Sequence, residues 1–381
     1  PGESCSTLRV TGEGLCSTRL APKRHGPIEC AMTSIFARMG AVFFGPARLI
    51  EESLLARGSS TSQGSQARVG VRELRNSNGA AIRIFYPAAE DASVPGPSSK
   101  PAPMFRNSLA VFVEGYMHTF LKPAVPPFVL SALTFLVSCL ALMSPLQRTK
   151  LPRCFEGLDA KKGEKLPLVL WSHGLTGTGC EHGSLALALA LKGNVVALLH
   201  HSDGSSSMTD LLLTGGNNAP ATMTRFLYEH PEYAPYDTGF RQKQVEHRAR
   251  EVEEAREIIL SLSNTRGSFL AGLVDPSKVV VGGFSFGAAT AGLVAATASP
   301  GLYKAVVLID GWWHIELPKL KVNQDLPTQV HDRGLPGPAL FVGSAEFKGY
   351  RRLREATLKV QGLVRGRGGK GDDVHVRKEK K

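Results

Sequence analysis

The serine in the pentapeptide Gly283-Phe284-Ser285-Phe286-Gly287 has the surroundings of a catalytic nucleophile. The pentapeptide matches G-x-S-x-G, follows the apolar run "KVVV" and precedes the small-residue run "AATAGLVAATAS". A nucleophile elbow requires this strand–turn–helix setting, because the two glycines leave room for a strained serine whose Oγ stands clear of the sheet. Ser285 is therefore the predicted nucleophile. A glycine-rich turn that only lets a helix pack closely is the plainer interpretation.

Two backbone donors are predicted to face this serine. A serine hydroxyl attacks an ester only if a base takes its proton and if N–H groups are aimed at the developing oxyanion. The N–H of Phe286, the residue after the serine, is one donor in this motif. The second donor is expected from a loop after an earlier strand, and the segment "LVLWSHGLTG" supplies such a loop, ending in Gly174 and Leu175. The plainer interpretation of this segment is a strand that ends in an ordinary loop.

An aspartate ends the strand predicted after the elbow helix. In folds built around such an elbow, the acid follows the serine in the chain and the histidine comes last. Asp310 terminates "KAVVLID" and is the predicted acid, with a helix cap or an exposed turn as the alternative. Trp312 and Trp313 follow directly. They are predicted to wall an acyl or lipid pocket, although adjacent aromatics after a strand are often only core and rim.

Three histidines remain as candidates for the base. His314 is too close to Asp310 to arrive on a separate loop, and His331 precedes the last clear strand, "ALFVGS". His375 lies beyond that strand, where this order of residues places the base. It is the predicted base. Its setting in "GKGDDVHVRKEKK" also fits a solvated histidine of a charged tail.

The elements that must position these residues form an α/β pattern. After Leu166, near-continuous apolar strands alternate with helices, which indicates a mostly parallel sheet covered on both faces. Before it, "ARVGVREL" and "AAIRIFYP" flank the turn "RNSNG" and predict an antiparallel hairpin. We expect an irregular segment over residues 1–67, an α/β domain over 68–365 and a basic tail over 366–381.

One apolar segment, residues 128–143, precedes the alternating part of the chain. It carries no charge, and prolines bound it on both sides. Its sixteen residues fall short of the roughly 20 that span hydrocarbon. An interfacial or partly buried helix is the favoured interpretation, ahead of a short transmembrane span.

Charge and cysteine content restrict the classes of partner and cofactor. The net charge of +12 lies largely near the two termini, which fits a solvated basic surface or attraction to an anionic membrane. Nucleic acid is disfavoured because no binding module accompanies the charge. Six cysteines without a C-x-x-C pair predict no zinc or dithiol site. A serine mechanism needs no metal or organic cofactor. No signal peptide is predicted, and the compartment stays open between cytoplasm, membrane and secretory pathway.

Several segments together resemble the platelet-activating factor acetylhydrolase family of α/β-hydrolases. They cover about residues 68–350 in the family's order: "VGVRELRNSNGAAIRIFYPA", "GEKLPLVLWSHGL", "HSDGSSSMT", "RQKQVEHRAREV", "DPSKVVVGGFSFGAAT", "AVVLIDGWW" and "GPALFVGSAEF". Two features depart from the family. Phe284 precedes the serine where many relatives carry histidine, and "VRKEKK" follows His375 where relatives continue into a further helix.

The resemblance implies an α/β-hydrolase fold and a calcium-independent esterase. By position it implies Ser285 as nucleophile, Asp310 as acid, and Leu175 and Phe286 as oxyanion donors. The implied substrate is a phospholipid such as platelet-activating factor, cleaved at an acetyl or a short or oxidised acyl ester at sn-2, with an apolar region docked on lipid. Two alternatives stay open: a carboxylesterase or short-chain lipase acting on soluble esters, and a non-catalytic lipid-binding protein on a decayed hydrolase fold.

Overall fold

The computed structural model describes residues 67–89, 100–213, 221–230, 239–317, 322–344, 347 and 349–367. The expected irregular segment 1–67 lies outside the described residues except for its last position. Most of the expected basic tail, including His375, also lies outside them.

The centre of the fold is a nine-stranded sheet in the order β13-β10-β9-β5-β6-β2-β1-β4-β3. Five neighbouring strands, from β13 to β6, run parallel, and β2 joins them antiparallel to β6. These nine strands are β1 Val69–Arg75, β2 Ala81–Pro87, β3 Lys100–Pro103, β4 Lys150–Glu156, β5 Leu166–Ser172, β6 Val195–Leu199, β9 Val274–Phe284, β10 Ala305–Ile309 and β13 Ala339–Val342. Two separate hairpins pair β7 Met208–Leu213 with β8 Thr222–Leu227, and β11 His314–Leu317 with β12 Val322–Asp325.

The predicted N-terminal hairpin is confirmed. β1 and β2 pair antiparallel with Arg75 opposite Ala81. The turn between them contains Gly79, whose φ of 79° favours glycine. The hairpin continues the sheet on the side away from β13, so it extends the fold without contributing to the elbow.

Helices cover both faces of the sheet, as predicted. In chain order they are α1 Leu109–Leu121, α2 Pro127–Met143, α3 Gly183–Leu191, α4 Phe240–Asn264, α5 Phe286–Thr297, α6 Thr328–Arg333 and α7 Arg351–Arg367. Alternate side chains of β5 lie on opposite faces of the sheet. Leu168 and Leu170 pack in a core that α4, α5 and α7 share, whereas Val169 and Trp171 pack in a core with α1 and α3. This arrangement is the α/β-hydrolase fold.

The apolar segment 128–143 forms α2 almost to the residue. Within the described ranges, no helix combines the length and the apolar character that crossing a membrane requires. One side of α2 packs against α1 through Leu130, Leu133, Val137 and Ala141. The other side is bare: Phe128 is 75% exposed, Phe135 72% and Met143 74%.

Candidate active site

Ser285 occupies a sharp turn between β9 and α5. Its φ of 55° and ψ of −115° are a strained combination for a residue with a side chain. The neighbouring strand holds it there: the Ser285 N–H donates to the Ile309 carbonyl at 2.8 Å, and the Ser285 carbonyl accepts from the Trp312 N–H at 3.1 Å. The strained turn is therefore fixed from β10 and from the loop that follows it.

The two glycines of the elbow are required by backbone contacts. A Cβ on Gly283 would lie 2.3 Å from the Gly287 carbonyl oxygen. A Cβ on Gly287 would lie 2.1 Å from the Ser172 carbonyl oxygen. The crowding expected from the sequence at positions 283 and 287 is confirmed, since β5 and the first turn of α5 fill the space that a side chain needs.

The loop after β5 lies directly against the nucleophile. A Cβ on Gly174 would lie 3.4 Å from the Ser285 Cβ. The Gly174 carbonyl accepts from His173 Nδ1–H at 2.7 Å and from the Gly177 N–H at 3.2 Å. Because the C=O and N–H of a trans peptide point in opposite directions, these bonds also fix the direction of the Leu175 N–H.

The two predicted oxyanion donors follow residues of this contact, since Leu175 comes after Gly174 and Phe286 comes after Ser285. Within the described part of the chain, neither the Leu175 N–H nor the Phe286 N–H has a hydrogen-bond acceptor. Phe286 is the first residue of α5, whose opening N–H groups lack intrahelical partners. Burial, with Arg248 nearby, holds the pKa of His173 well below its usual value, so at neutral pH its ring is neutral and Nδ1 keeps its proton for Gly174.

Asp310 and Ser285 lie at the ends of two neighbouring parallel strands. Ile309 is in register with Phe284, so the residues that follow them end adjacent strands at the same edge. The Asp310 side chain is buried, and its Oδ1 accepts from the Ser344 N–H at 2.6 Å. Its φ of 47° lies in the left-handed region, which aspartate tolerates better than most residues.

The sequence model of the family described as platelet-activating factor acetylhydrolase, isoform II, matches residues 133–361, more than half of the chain. The chain belongs to this family. The canine platelet-activating factor acetylhydrolase (Canis lupus familiaris) is 26% identical over an alignment of 199 residues, which covers 49% of this chain and 42% of the canine protein. The Gallus gallus protein of the same name is 26% identical over an alignment of 206 residues, which covers 49% of this chain and 46% of that protein. The chain thus covers less than half the length of these relatives.

A solved ferulic acid esterase from Streptomyces cinnamoneus aligns over 80% of this chain and 72% of that chain, with a TM-score of 0.47 and 18% sequence identity. The family is named for an acetylhydrolase of platelet-activating factor, an ester-hydrolysing enzyme.

The two described histidines after Asp310 contact residues other than Ser285. His314 Nδ1 lies 3.1 Å from Asp325 Oδ1, and His331 Nε2 lies 3.2 Å from the Trp313 carbonyl. Ser285 Oγ has no hydrogen-bond partner in the described ranges. His375 lies outside the described residues, so its prediction as the base stays a prediction.

The two tryptophans expected in the pocket wall have different positions. Trp312 is half-buried beside the elbow, with its ring centre 5.7 Å from that of Phe286. Trp313 is fully buried in the core, so its prediction as pocket wall was wrong. The indole of Trp313 folds back over Gly311, where a Cβ would lie 2.2 Å from its Nε1, and it also covers Gly292 of α5. Two glycines therefore admit this ring into the core.

Other aromatic rings lie near the nucleophile. The Phe284 ring is 6.0 Å from the His182 ring and 6.2 Å from the Phe347 ring, centre to centre. His182 also lies edge-on to Trp171 at 5.8 Å. Burial lowers the pKa of His182 to about 4, so this ring is neutral at neutral pH. The side of the elbow next to Phe284 is thus lined by uncharged aromatic rings.

A second polar array lies buried beneath the elbow. Ser172 Oγ lies 2.7 Å from His201 Nε2, and His201 Nδ1 lies 2.7 Å from Glu251 Oε2. Burial by itself raises the pKa of Glu251, but hydrogen bonds from His201, His247 and Ser202 outweigh it and hold that pKa well below its usual value. Ser172 is 1% exposed, so this serine–histidine–glutamate array has no access to substrate and joins β5, β6 and α4.

The sequence-based prediction missed the polar residues that α4 buries. Arg241, Gln244, Arg248 and Glu251 are all buried, together with the apolar residues Val245 and Val252. The four polar residues are three, four and seven positions apart, the same spacing as the apolar residues of the helix. This spacing was the sequence signal that could have predicted their inward orientation. Within the described ranges no group of three or more His, Cys, Asp or Glu side chains is placed to hold a metal ion.

Proposed function

We propose that this chain is a serine esterase that hydrolyses the acetyl ester, or a short or oxidised acyl ester, at the sn-2 position of phospholipids such as platelet-activating factor. The observation that carries the proposal is the strained Ser285, packed against the loop of Gly174, with the N–H groups of Leu175 and Phe286 left without acceptors. A glycine-rich turn without catalytic use has no need of a serine at φ 55° or of two N–H groups without acceptors.

In the proposed mechanism, Ser285 Oγ attacks the acyl carbonyl carbon while His375 takes the hydroxyl proton. The carbonyl oxygen becomes an oxyanion, which the Leu175 and Phe286 N–H groups stabilise. His375 then gives the proton to the sn-2 glycerol oxygen as the ester C–O bond breaks, which releases the lysophospholipid. In the second half-reaction His375 takes a proton from water, whose oxygen attacks the acyl carbon of the acyl-enzyme. The bond between the acyl carbon and Ser285 Oγ then breaks, His375 returns the proton to Oγ, and the free acid leaves. Asp310 orients His375, and no metal takes part.

Two observations support a phospholipid with a short acyl group as substrate. The family is named for platelet-activating factor hydrolysis, and its curated members in dog and chicken carry that name. The uncharged rings of Phe284, His182 and Phe347 crowd one side of the elbow, which favours a short acyl chain there.

The bare face of α2 supports docking on a lipid surface. Lys122, Arg148 and Lys150 flank the helix and are exposed, which suits contact with anionic headgroups at the edge of an apolar patch. A series of contacts also joins the helix to the loop beside the site. It packs on α1, whose Tyr116 hydroxyl donates to Glu181 at 2.8 Å, and Glu181 in turn accepts from the Thr178 N–H at 2.9 Å, just after the Leu175 loop.

The test is labelling of the purified protein by a fluorophosphonate, with Ser285→Ala and His375→Ala in parallel. Labelling of the parent that vanishes in both variants supports the proposed nucleophile and base. Labelling lost only in Ser285→Ala keeps the enzyme and refutes His375. An unlabelled but folded parent refutes the catalytic proposal and favours a non-catalytic lipid-binding protein.

Substrate class is tested by comparing hydrolysis of platelet-activating factor with that of p-nitrophenyl acetate. The proposal expects a higher kcat/KM for the phospholipid, with a rise in rate once the substrate forms micelles. Equal or better hydrolysis of the monomeric ester, without that rise, refutes the phospholipid substrate and indicates a carboxylesterase.

A further inference from the structure

Arg248 is the most completely buried charged residue of α4, with 0% exposure. Its Nε donates to Asp203 Oδ2 at 3.0 Å, and the Asp203 side chain is only 1% exposed, so the charge is compensated inside the protein. A buried ion pair of this kind is weak evidence for stability, because the desolvation of both ions offsets their attraction. The function of Arg248 must therefore be sought in its other contacts and not in the ion pair.

The guanidinium of Arg248 reaches the loop that carries one oxyanion donor. Its Nη1 donates to the His173 carbonyl at 2.6 Å, two residues before Leu175. Its Nη2 donates to Ser205 Oγ at 2.5 Å. The Ser205 carbonyl accepts from the Thr176 N–H at 2.8 Å, so the residue after Leu175 is held as well. Arg248 thus fixes the loop on both sides of the Leu175 N–H.

The same guanidinium also touches the residue that carries the other donor. Its central carbon lies 4.8 Å from the centre of the Phe286 ring. This is the distance of a cation–π contact, which is stronger where water is excluded. Phe286 is 0% exposed and begins α5 directly after Ser285. One planar group therefore contacts both halves of the proposed oxyanion hole, one half after β5 and the other after β9.

We propose that Arg248 is a positioning residue of the oxyanion hole, which holds the His173 carbonyl and the Phe286 ring in one buried contact so that the Leu175 and Phe286 N–H groups converge beside Ser285. The proposal rests on the proposed esterase function for its catalytic consequence. Arginine is needed because lysine, with a single ammonium, cannot donate to His173, Ser205 and Asp203 and also cover an aromatic ring.

The decisive variant is Arg248→Lys, which keeps the charge beside Asp203 and removes the planar fork. The matched control is Arg241→Lys. Arg241 is also buried on α4, but its guanidinium contacts Gln244, Tyr228 and the Phe240 ring, and none of these belongs to the oxyanion loop. Removal of a single oxyanion donor typically lowers kcat by about 10²–10³-fold. A misdirected donor should lower it by roughly 10–100-fold.

For Arg248→Lys we expect kcat on p-nitrophenyl acetate to fall by that factor with KM unchanged. The affinity for an alkyl trifluoromethyl ketone, which forms a tetrahedral adduct with serine, should fall in parallel, because only tetrahedral states use the hole. Arg241→Lys should retain the parental kcat and ketone affinity. A folded Arg248→Lys protein with the parental kcat and ketone affinity would overturn the proposal.

A second readout does not depend on activity. Labelling with ¹³C′-glycine and ¹⁵N-leucine restricts the amide spectrum to Gly–Leu steps such as Gly174–Leu175. The Leu175 resonance should move in Arg248→Lys and stay in place in Arg241→Lys. If the parent is inactive, the esterase function is refuted. The spectrum then tests only whether Arg248 positions the Leu175 N–H, and an unmoved Leu175 resonance refutes that role.

If Arg248→Lys does not fold, the double variant Arg248→Met/Asp203→Asn removes both buried charges together. It should fold, move the Leu175 resonance and show the same loss of kcat. Parental kcat or an unmoved resonance in this variant overturns the proposal.

Discussion

A methyl group on Gly287 would lie 2.1 Å from the carbonyl oxygen of Ser172. Ser172 is the last residue of β5, and Gly287 lies in the first turn of α5. The helix that follows the nucleophile therefore rests on the strand that leads into the oxyanion loop, with no space for a side chain between them. Because the obstacle is backbone, neither side can yield without moving β5 or the elbow.

Gly287→Ala should consequently damage both stability and reactivity. We expect a loss of about 1–3 kcal/mol in the free energy of unfolding, typical of overpacking, and at least tenfold slower fluorophosphonate labelling. The control is Gly362→Ala in α7, where a Cβ meets nothing within 4 Å. That variant should be more stable than the parent by about 0.5–1 kcal/mol, because alanine is the better helix former. Parental labelling and melting of Gly287→Ala would contradict the proposed packing.

Asp310→Asn tests the acid with the least change in structure. Asparagine tolerates the φ of 47° and still offers an oxygen to the Ser344 N–H, so the variant should fold. We expect kcat to fall on the order of 10³–10⁴-fold, the cost of a wrongly oriented histidine in serine hydrolases. Asp325→Asn is the matched control, because Asp325 pairs with His314 and Lys359 instead. A larger loss in Asp325→Asn than in Asp310→Asn would place the acid in that second cluster.

The sequence predicts those parts of the fold whose local pattern agrees with their packing. Buried parallel strands are continuous apolar runs, and the turn with Asn78 and Gly79 predicts the hairpin. Helix α1 was missed because its buried face mixes Phe112 and Tyr116 with Gly115 and Thr119, which gives no clear apolar stripe. Strand β8 was missed because its side chains are largely exposed on both faces, so only pairing with β7 defines it.

The candidate site shows the same division. The strand–turn–helix context predicts the place of Ser285, and strand ends predict Asp310 and the loop of Gly174 and Leu175, because glycine spacing and strand termini are local features. Arg248 and Glu251 are not predicted, since charged helix residues normally face solvent. Their burial depends on Asp203 and His201, which reach them from other parts of the chain.

His182 should make the protein less stable in mild acid. Its folded-state pKa of about 4 lies below the unfolded value of 6.5, so the unfolded state binds the proton first and stability falls as pH drops from about 6.5 to 4. His182→Phe keeps the ring against Trp171 and Phe284 and removes the proton site. In this window, the slope of unfolding free energy against pH should drop by at most one proton, ~1.4 kcal/mol per pH unit. An unchanged slope would show that His182 is protonated freely when folded.

His247 should act in the opposite direction. Its hydrogen bond to Glu251 raises its pKa, so its contribution to stability is complete below the unfolded pKa and is lost as pH rises through the folded pKa. His247→Gln should therefore destabilise the protein at pH 5.5 and leave it unchanged at pH 8.5. The side chain is 33% exposed, which limits the effect to less than about 1 kcal/mol. Equal destabilisation at both pH values in urea titrations would contradict a charged pair.

The bare face of α2 should govern association with lipid. Phe128 and Phe135 lie seven residues apart on the side away from α1, so Phe128→Ser/Phe135→Ser removes apolar area without disturbing the helix packing. Burial of a phenylalanine side chain contributes about 1.5–3 kcal/mol. Vesicle partitioning should therefore weaken by at least roughly tenfold, because an interfacial ring is only partly buried. Hydrolysis of monomeric p-nitrophenyl acetate should stay unchanged.

The matched control for this prediction is Leu358→Ser on α7, which is 60% exposed and lies on another element. It should leave partitioning into phosphatidylcholine/phosphatidylserine vesicles at the parental level. If both variants weaken partitioning equally, association depends on general surface hydrophobicity and not on α2. If neither weakens it and micellar platelet-activating factor is still preferred, lipid contact lies elsewhere. Loss of partitioning in the α2 variant alone, with monomeric esterase activity intact, would separate the docking surface from the chemistry of Ser285.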